Sequence, residues 1–152
     1  MNQNGTRVLL RESQSILVVD DSADDFEATK RAFAKANLRN VIAHAPSGEE
    51  ALAYLRQEGA VKPGIILLDL NMPGMDGRKT LEIIKGSASL RHIPVVILTT
   101  SDDERDINTC YDLGANTYVQ KPVDFDGLIS AIKRLKQYWF EIALLPKEAE
   151  HE

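Results

Sequence analysis

Each of four short apolar runs in this sequence hands over, within a residue or two, to side chains able to do chemistry. Ile16-Leu17-Val18-Val19 leads into Asp20-Asp21, Ile65-Ile66-Leu67-Leu68 into Asp69, Pro94-Val95-Val96-Ile97-Leu98 into Thr99-Thr100, and Asn116-Thr117-Tyr118-Val119 leads to Lys121. Three carboxylates gathered in one place repel each other unless a cation joins them. A set of oxygen ligands suits Mg²⁺, with Mn²⁺ or Ca²⁺ as substitutes, and Mg²⁺ also bridges to phosphate oxygens. No His or Cys accompanies the set, which disfavours zinc. A carboxylate attacks phosphorus as a nucleophile and becomes an aspartyl phosphate. What remains is positioning and neutralising the transferred oxygens, a task that suits the Thr99 hydroxyl and the Lys121 ammonium.

Singly, each residue has an ordinary explanation. An Asp after a strand commonly caps the next helix, which covers Asp20 or Asp21. Asp69 ahead of Asn71-Met72-Pro73-Gly74 fits the start of a turn. Thr99 fits the end of a strand, and Lys121 before Pro122 fits a solvated loop. The set is what distinguishes them, because the parts for cation-assisted transfer to a carboxylate follow the first, third, fourth and fifth apolar runs.

The elements that must position them alternate between two periods. Short apolar runs, with Val41-Ile42-Ala43 as a weaker second one, are separated by helical patterns. Phe26, Thr29, Phe33 and Ala36 mark the first helix. Ser47 caps a second holding Ala51, Leu52 and Leu55, and a third from about Arg78 holds Leu81, Ile84 and Ile83. Residues 102–113 form a polar fourth helix closed by Gly114, and a last helix runs from about Asp124 past Trp139. Continuously apolar strands alternating with helices predict an α/β open sheet covered on both faces, which binds ligands outside the carboxyl ends of its strands. The 152 residues accommodate one domain, placed at 14–145 with tails at 1–13 and 146–152. Charged residues are 27%, hydrophobic residues 43% and the net charge is −5, which argues against nucleic acid as a partner. The single cysteine, Cys110, the absence of an apolar signal core and the absence of a membrane-length apolar run predict a cytoplasmic protein.

In Ile16-Leu17-Val18-Val19-Asp20-Asp21, Leu67-Leu68-Asp69-Leu70-Asn71-Met72-Pro73-Gly74-Met75-Asp76-Gly77, Ile93-Pro94-Val95-Val96-Ile97-Leu98-Thr99 and Tyr118-Val119-Gln120-Lys121-Pro122 the sequence resembles the receiver domain of bacterial two-component response regulators. The resemblance covers nearly the whole chain. It implies a flavodoxin-like (βα)5 doubly wound parallel sheet with strand order 2-1-3-4-5. It implies Asp69 as phosphoacceptor for a sensor histidine kinase. Asp21, Asp69 and the backbone carbonyl of Asn71 would ligate Mg²⁺ directly, and Asp20 mostly through water. Thr99 and Tyr118 would be a switch pair, Lys121 would bind the phosphoryl group, and Lys121–Pro122 would be cis, which an X-Pro bond makes inexpensive. Asp76-Gly77-Arg78, Leu98-Thr99-Thr100-Ser101 and Tyr138-Trp139-Phe140-Glu141 further resemble the small regulators paired with cyanobacterial phytochrome histidine kinases. Thr100 departs from the wider family, where Ala or Gly is common, and a bulkier residue there would restrict access to the phosphate.

Phosphorylation adds about −1.5 to −2 charges beside Thr99. The expected response is that Thr99 bonds the phosphate, Tyr118 swings inward, and the face formed by the fourth helix, fifth strand and fifth helix changes. In the last helix, Leu128, Ile132, Leu135, Trp139 and Ile142 form one stripe, while Tyr138, Phe140, Leu144 and Leu145 add apolar area beyond it. These four predict a homodimer through that face. Cys110 reads as a small packed residue, and His44, His92 and His151 as structural or surface residues. Asp24 and Asp25 read as acidic residues favourable at a helix start. The protein is expected to be a stand-alone phosphoacceptor rather than an enzyme, with output through protein contact and no membrane or nucleic-acid partner. Three other readings compete. An aspartate-nucleophile phosphatase needs a second Asp where Asn71 stands, and a flavodoxin-like electron carrier needs a phosphate loop where Asp20 and Asp21 stand. A degenerate receiver, acting only as a binding module, would lack side chains that are present here.

Overall fold

The structure, a computed structural model, describes residues 7–8, 11, 13–142 and 145–146. Along the chain run β1 (Ile16–Val19), α1 (Ala23–Lys35), β2 (Ile42–Ala45), α2 (Gly48–Leu55), β3 (Ile65–Leu68), α3 (Gly77–Gly86), β4 (Val95–Thr99), α4 (Glu104–Asp112), β5 (Thr117–Gln120) and α5 (Phe125–Lys136). Every residue of β1, β3 and β4 is buried, as strands covered on both faces must be. The five strands are parallel in the order β2-β1-β3-β4-β5. Side chains alternate across the sheet. Leu17, Val19, Ile66 and Leu68 face a core closed by α2, α3 and α4. Ile16, Val18, Ile65 and Leu67 face one closed by α1 and α5.

Register carries the functional edge. Val19 pairs with Leu68 and Leu68 with Ile97, so β1 and β3 end level and β4 runs two residues further along the same edge, to Thr99. The next peptides are tied in the same way: Asp20 N–H donates to the Ala45 carbonyl at 3.1 Å, Asp69 N–H to Val19 at 2.9 Å and Lys121 N–H to Thr99 at 2.6 Å. Each helix opens on a side-chain cap: Ser22, Ser47, Asp76, Asp103 and Asp124. Asp20 is therefore not the cap of α1. It instead accepts the Ser22 N–H at 2.9 Å, which steers its carboxylate towards the sheet edge.

After Lys136 the last helix widens into a π-helical turn, Gln137–Ile142. The i→i+5 winding turns two successive residues inward. Trp139 is buried, and Phe140 is packed against the same core, so Phe140 belongs to the fold rather than to a free surface. Tyr138 stays half exposed. Arg7–Val8 pairs antiparallel with Leu145–Pro146, which brings the segment before β1 to the segment after this turn. Leu144, His151 and the side chains of Ile142 and Leu145 lie outside the described residues. Cys110 is fully buried, and burial pushes its thiol up to about 11, as expected of a packing residue. His44 stacks on Phe26 with ring centroids 3.9 Å apart, and its Nε2 lies 2.8 Å from the Asp20 carbonyl oxygen. Among the described residues no helix is long and apolar enough to cross a membrane.

Candidate functional site

The edge formed by β1, β3, β4 and β5 brings together most of the residues singled out by sequence. Carboxylate oxygens of Asp20, Asp21 and Asp69 all lie within 4.8 Å of one another. Asp20 and Asp69 are buried and Asp21 is exposed, so the cluster opens to solvent on one side. Lys121 reaches in from the end of β5. Its Nζ lies 2.8 Å from Asp20 Oδ2, 2.9 Å from Asp25 Oδ2 and 3.7 Å from Asp69 Oδ2.

Charge balance explains the titration behaviour. Burial pushes the Asp69 carboxyl above its ordinary value, and the neighbouring Asp20 charge adds to this. Lys121, Thr99 and the Asn71 N–H pull it back without cancelling the rise. For Lys121, burial pulls the ammonium down. Hydrogen bonds to Asp20 and Asp25 and the charges of Asp20 and Asp69 outweigh that and hold it above the usual lysine range. Thr99 is fully buried beside Asp69, close enough to favour its ionised form, yet its hydroxyl makes no hydrogen bond of good geometry to any protein group. One ammonium stands against three clustered carboxylates, and burial disfavours the ionised form of the nucleophile candidate Asp69. That donor set, all oxygen and excess negative charge, fits a hard divalent cation.

The loop after Asp69 is built around close backbone approaches. Asn71 N–H points back to Asp69 Oδ1 at a long 3.5 Å. Gly74 turns the chain with φ +74°. A Cβ at Gly77 would lie 2.2 Å from the Asp69 carbonyl oxygen, so only glycine lets α3 start against the peptide that carries Asp69.

One expectation needs correction. Lys121–Pro122 is trans, the isomer an X-Pro bond prefers, and Lys121 still reaches Asp20 from it. Tyr118, the other residue of the expected switch pair, is part-buried over the β4–α4 loop, and its hydroxyl donates to the Ser101 carbonyl at 2.9 Å. That loop is held in turn by side chains for which the sequence suggests no contact. Ser101 Oγ donates to Asp106 at 2.7 Å, and Arg78 at the start of α3 binds Asp106 at 2.7 Å and Asp76 at 3.2 Å.

A family model for the response regulator receiver domain matches residues 16–133. The chain belongs to the response regulator receiver family. The response regulator Rcp1 of Synechocystis sp. is 35% identical over 135 residues, spanning 86% of this chain and 92% of Rcp1. The crystal structure of the phosphorylated cyanobacterial phytochrome response regulator RcpA superposes with a TM-score of 0.82 at 39% identity, covering 88% of this chain and 99% of that one. The Mn²⁺-bound form of Rcp1 gives a TM-score of 0.79 at 34% identity, covering 88% and 99%. The receiver's flavodoxin-like (βα)5 sheet, with order 2-1-3-4-5, is thus the one the sequence predicts.

Asp25 is the site residue that sequence reasoning set aside. Its place at the start of α1 explained it sufficiently as a helix-dipole carboxylate, and no local signal announces a bond to a lysine 96 positions away. The pairing of Arg78 with Asp106 has no local signal for the same reason: the two are 28 residues apart and meet only once α3 and α4 are side by side.

Proposed function

We propose that this receiver accepts a phosphoryl group on Asp69 from a sensor histidine kinase and signals through protein contact. The observation that carries this reading is the placement of Asp69. It is a desolvated carboxylate at the carboxyl end of β3, within 4.8 Å of two further carboxylates and 3.7 Å from an ammonium. An Asp69 oxygen attacks phosphorus, the P–N bond of a phosphohistidine breaks, and its electron pair stays on the imidazole nitrogen. Asp20, Asp21, Asp69 and the Asn71 carbonyl would hold Mg²⁺, which would supply charge neutralisation for the phosphoryl oxygens. Lys121 offers an ammonium to the transferred oxygens, and Thr99 offers a buried hydroxyl that has no other partner to leave.

Likeness to RcpA, a phytochrome response regulator, supports a phytochrome-type kinase as the donor. The signal would leave through α4, β5 and α5, where Tyr111 and Tyr138 are exposed, and a second copy is the partner proposed for that face. Tyr118 already contacts Ser101, so the switch would tighten an existing contact rather than recruit a ring from solvent.

Incubation with acetyl phosphate and Mg²⁺, followed by intact mass, tests the central step. Wild type is expected to gain one phosphoryl group and Asp69→Asn none; an adduct that persists in Asp69→Asn overturns the assignment. Transfer from a panel of purified histidine kinases identifies the donor class. Light scattering with and without beryllofluoride tests self-association, and a monomer under both conditions removes the dimer.

A further inference from the structure

Ser22 and Asp25 stand at the N-cap and third position of α1, the spacing at which an acidic side chain usually reaches back to the N-cap N–H. Here that N–H is already taken: it donates to Asp20 Oδ1 at 2.9 Å. Asp25 still gives its backbone N–H to Ser22 Oγ at 3.1 Å, but its carboxylate is released from capping. The carboxylate points across to β5 instead, where Oδ2 accepts from Lys121 Nζ at 2.9 Å.

We propose that Asp25 is a positioning residue that holds Lys121 back from Asp69 and so slows phosphoryl transfer. The inference rests on the reading of Asp69 as phosphoacceptor. An ammonium has three hydrogens. Two are committed, to Asp20 at 2.8 Å and Asp25 at 2.9 Å, and Nζ stands 3.7 Å from Asp69 Oδ2. A cation held by Asp20, Asp21 and Asp69 would draw on the Asp20 charge and loosen its hold on Lys121. Asp25 lies outside that cluster, so its hold would persist with a cation in place and compete with the phosphoryl oxygens. With the Asp25 side chain half exposed, the competing contact has the strength of a surface ion pair.

Pseudo-first-order phosphorylation by acetyl phosphate and Mg²⁺ tests this, with the phosphorylated fraction read by intact mass. Asp25→Asn is expected to react about two- to fivefold faster than wild type, the size of a half-exposed ion pair. Asp24→Asn makes the same charge change one residue away, on an exposed side chain, and is expected to match wild type. In a Lys121→Ala background the Asp25→Asn acceleration should vanish, because Asp25 acts through Lys121. An equal acceleration by Asp24→Asn, or one that survives in Lys121→Ala, assigns the effect to net charge and overturns the proposal. An unchanged or slower Asp25→Asn with an unaltered urea midpoint overturns it too, while wild-type labelling leaves the phosphoacceptor reading standing. A wild type that takes no label at Asp69 overturns both.

Discussion

Replacing Lys121 by Met tests the electrostatic account of the site without touching a carboxylate. The Lys121 side chain is 12% exposed, its partner Asp20 5%, Asp69 10% and Asp25 50%. Removing one member of a buried ion pair costs about 3–5 kcal/mol. Only Asp20 is both buried and in direct contact, and the Asp25 pair adds no more than about 1 kcal/mol. The cluster also opens to solvent at Asp21, which relieves part of the repulsion. The expected loss at pH 7 is therefore about 3 kcal/mol, or a urea midpoint roughly 1–2 M lower. The pH dependence follows from Asp69. Its folded carboxyl titrates above the unfolded one, so the native state binds more protons between the two values and stability falls as pH rises through that window. Lys121 is the largest influence holding that shift down, so Lys121→Met widens the window upward. The deficit of the variant relative to wild type should shrink as pH falls from 7 through the raised Asp69 value. Mg²⁺ should stabilise the variant at least as much as wild type, by about 2.7 kcal/mol at a hundredfold excess over Kd. Urea unfolding across pH, with and without Mg²⁺, gives these quantities. A variant within 1 kcal/mol of wild type at pH 7, or a deficit constant across pH, would refute the account.

Three further substitutions probe other parts of the site. Gly77→Ala places a methyl 2.2 Å from the Asp69 carbonyl oxygen, so a loss of about 1–3 kcal/mol is expected, with phosphorylation slowed; thermal unfolding and labelling kinetics check both. Thr99→Val removes a fully buried hydroxyl without a hydrogen-bond partner and should raise stability by about 1 kcal/mol, while beryllofluoride no longer alters the Tyr118 environment by NMR. Arg78→Gln breaks the bond to Asp106, and amide exchange in residues 100–106 should accelerate several-fold while the β-strands keep their protection.

The parts of this protein legible in its sequence are those fixed by strand register. Once Ile16–Val19, Ile65–Leu68 and Val95–Thr99 are recognised as buried parallel strands, the residues that follow them must share an edge. Asp20, Asp69 and Thr99 need no further information to be brought together, and Lys121 follows one residue after β5. Side-chain choices made after the fold closes are a different matter. Ser22 rather than Asp20 caps α1 because Asp20 is committed to the sheet edge, and that commitment then frees Asp25 for Lys121. Neither step has a local signature, since each depends on which acceptor reaches a donor first in three dimensions. Phe140 shows the same limit in packing. A strict 3.6-residue period sets it off the buried stripe, but the π-helical turn adds a residue to the winding and brings it in beside Trp139. The apolar excess near the end of α5 is therefore smaller than its residue count suggests. Among the described residues, the proposed α4–β5–α5 contact would draw on Tyr111, Tyr138 and the polar face of α4. Such a surface suits a reversible, signal-dependent interface better than an obligate apolar one.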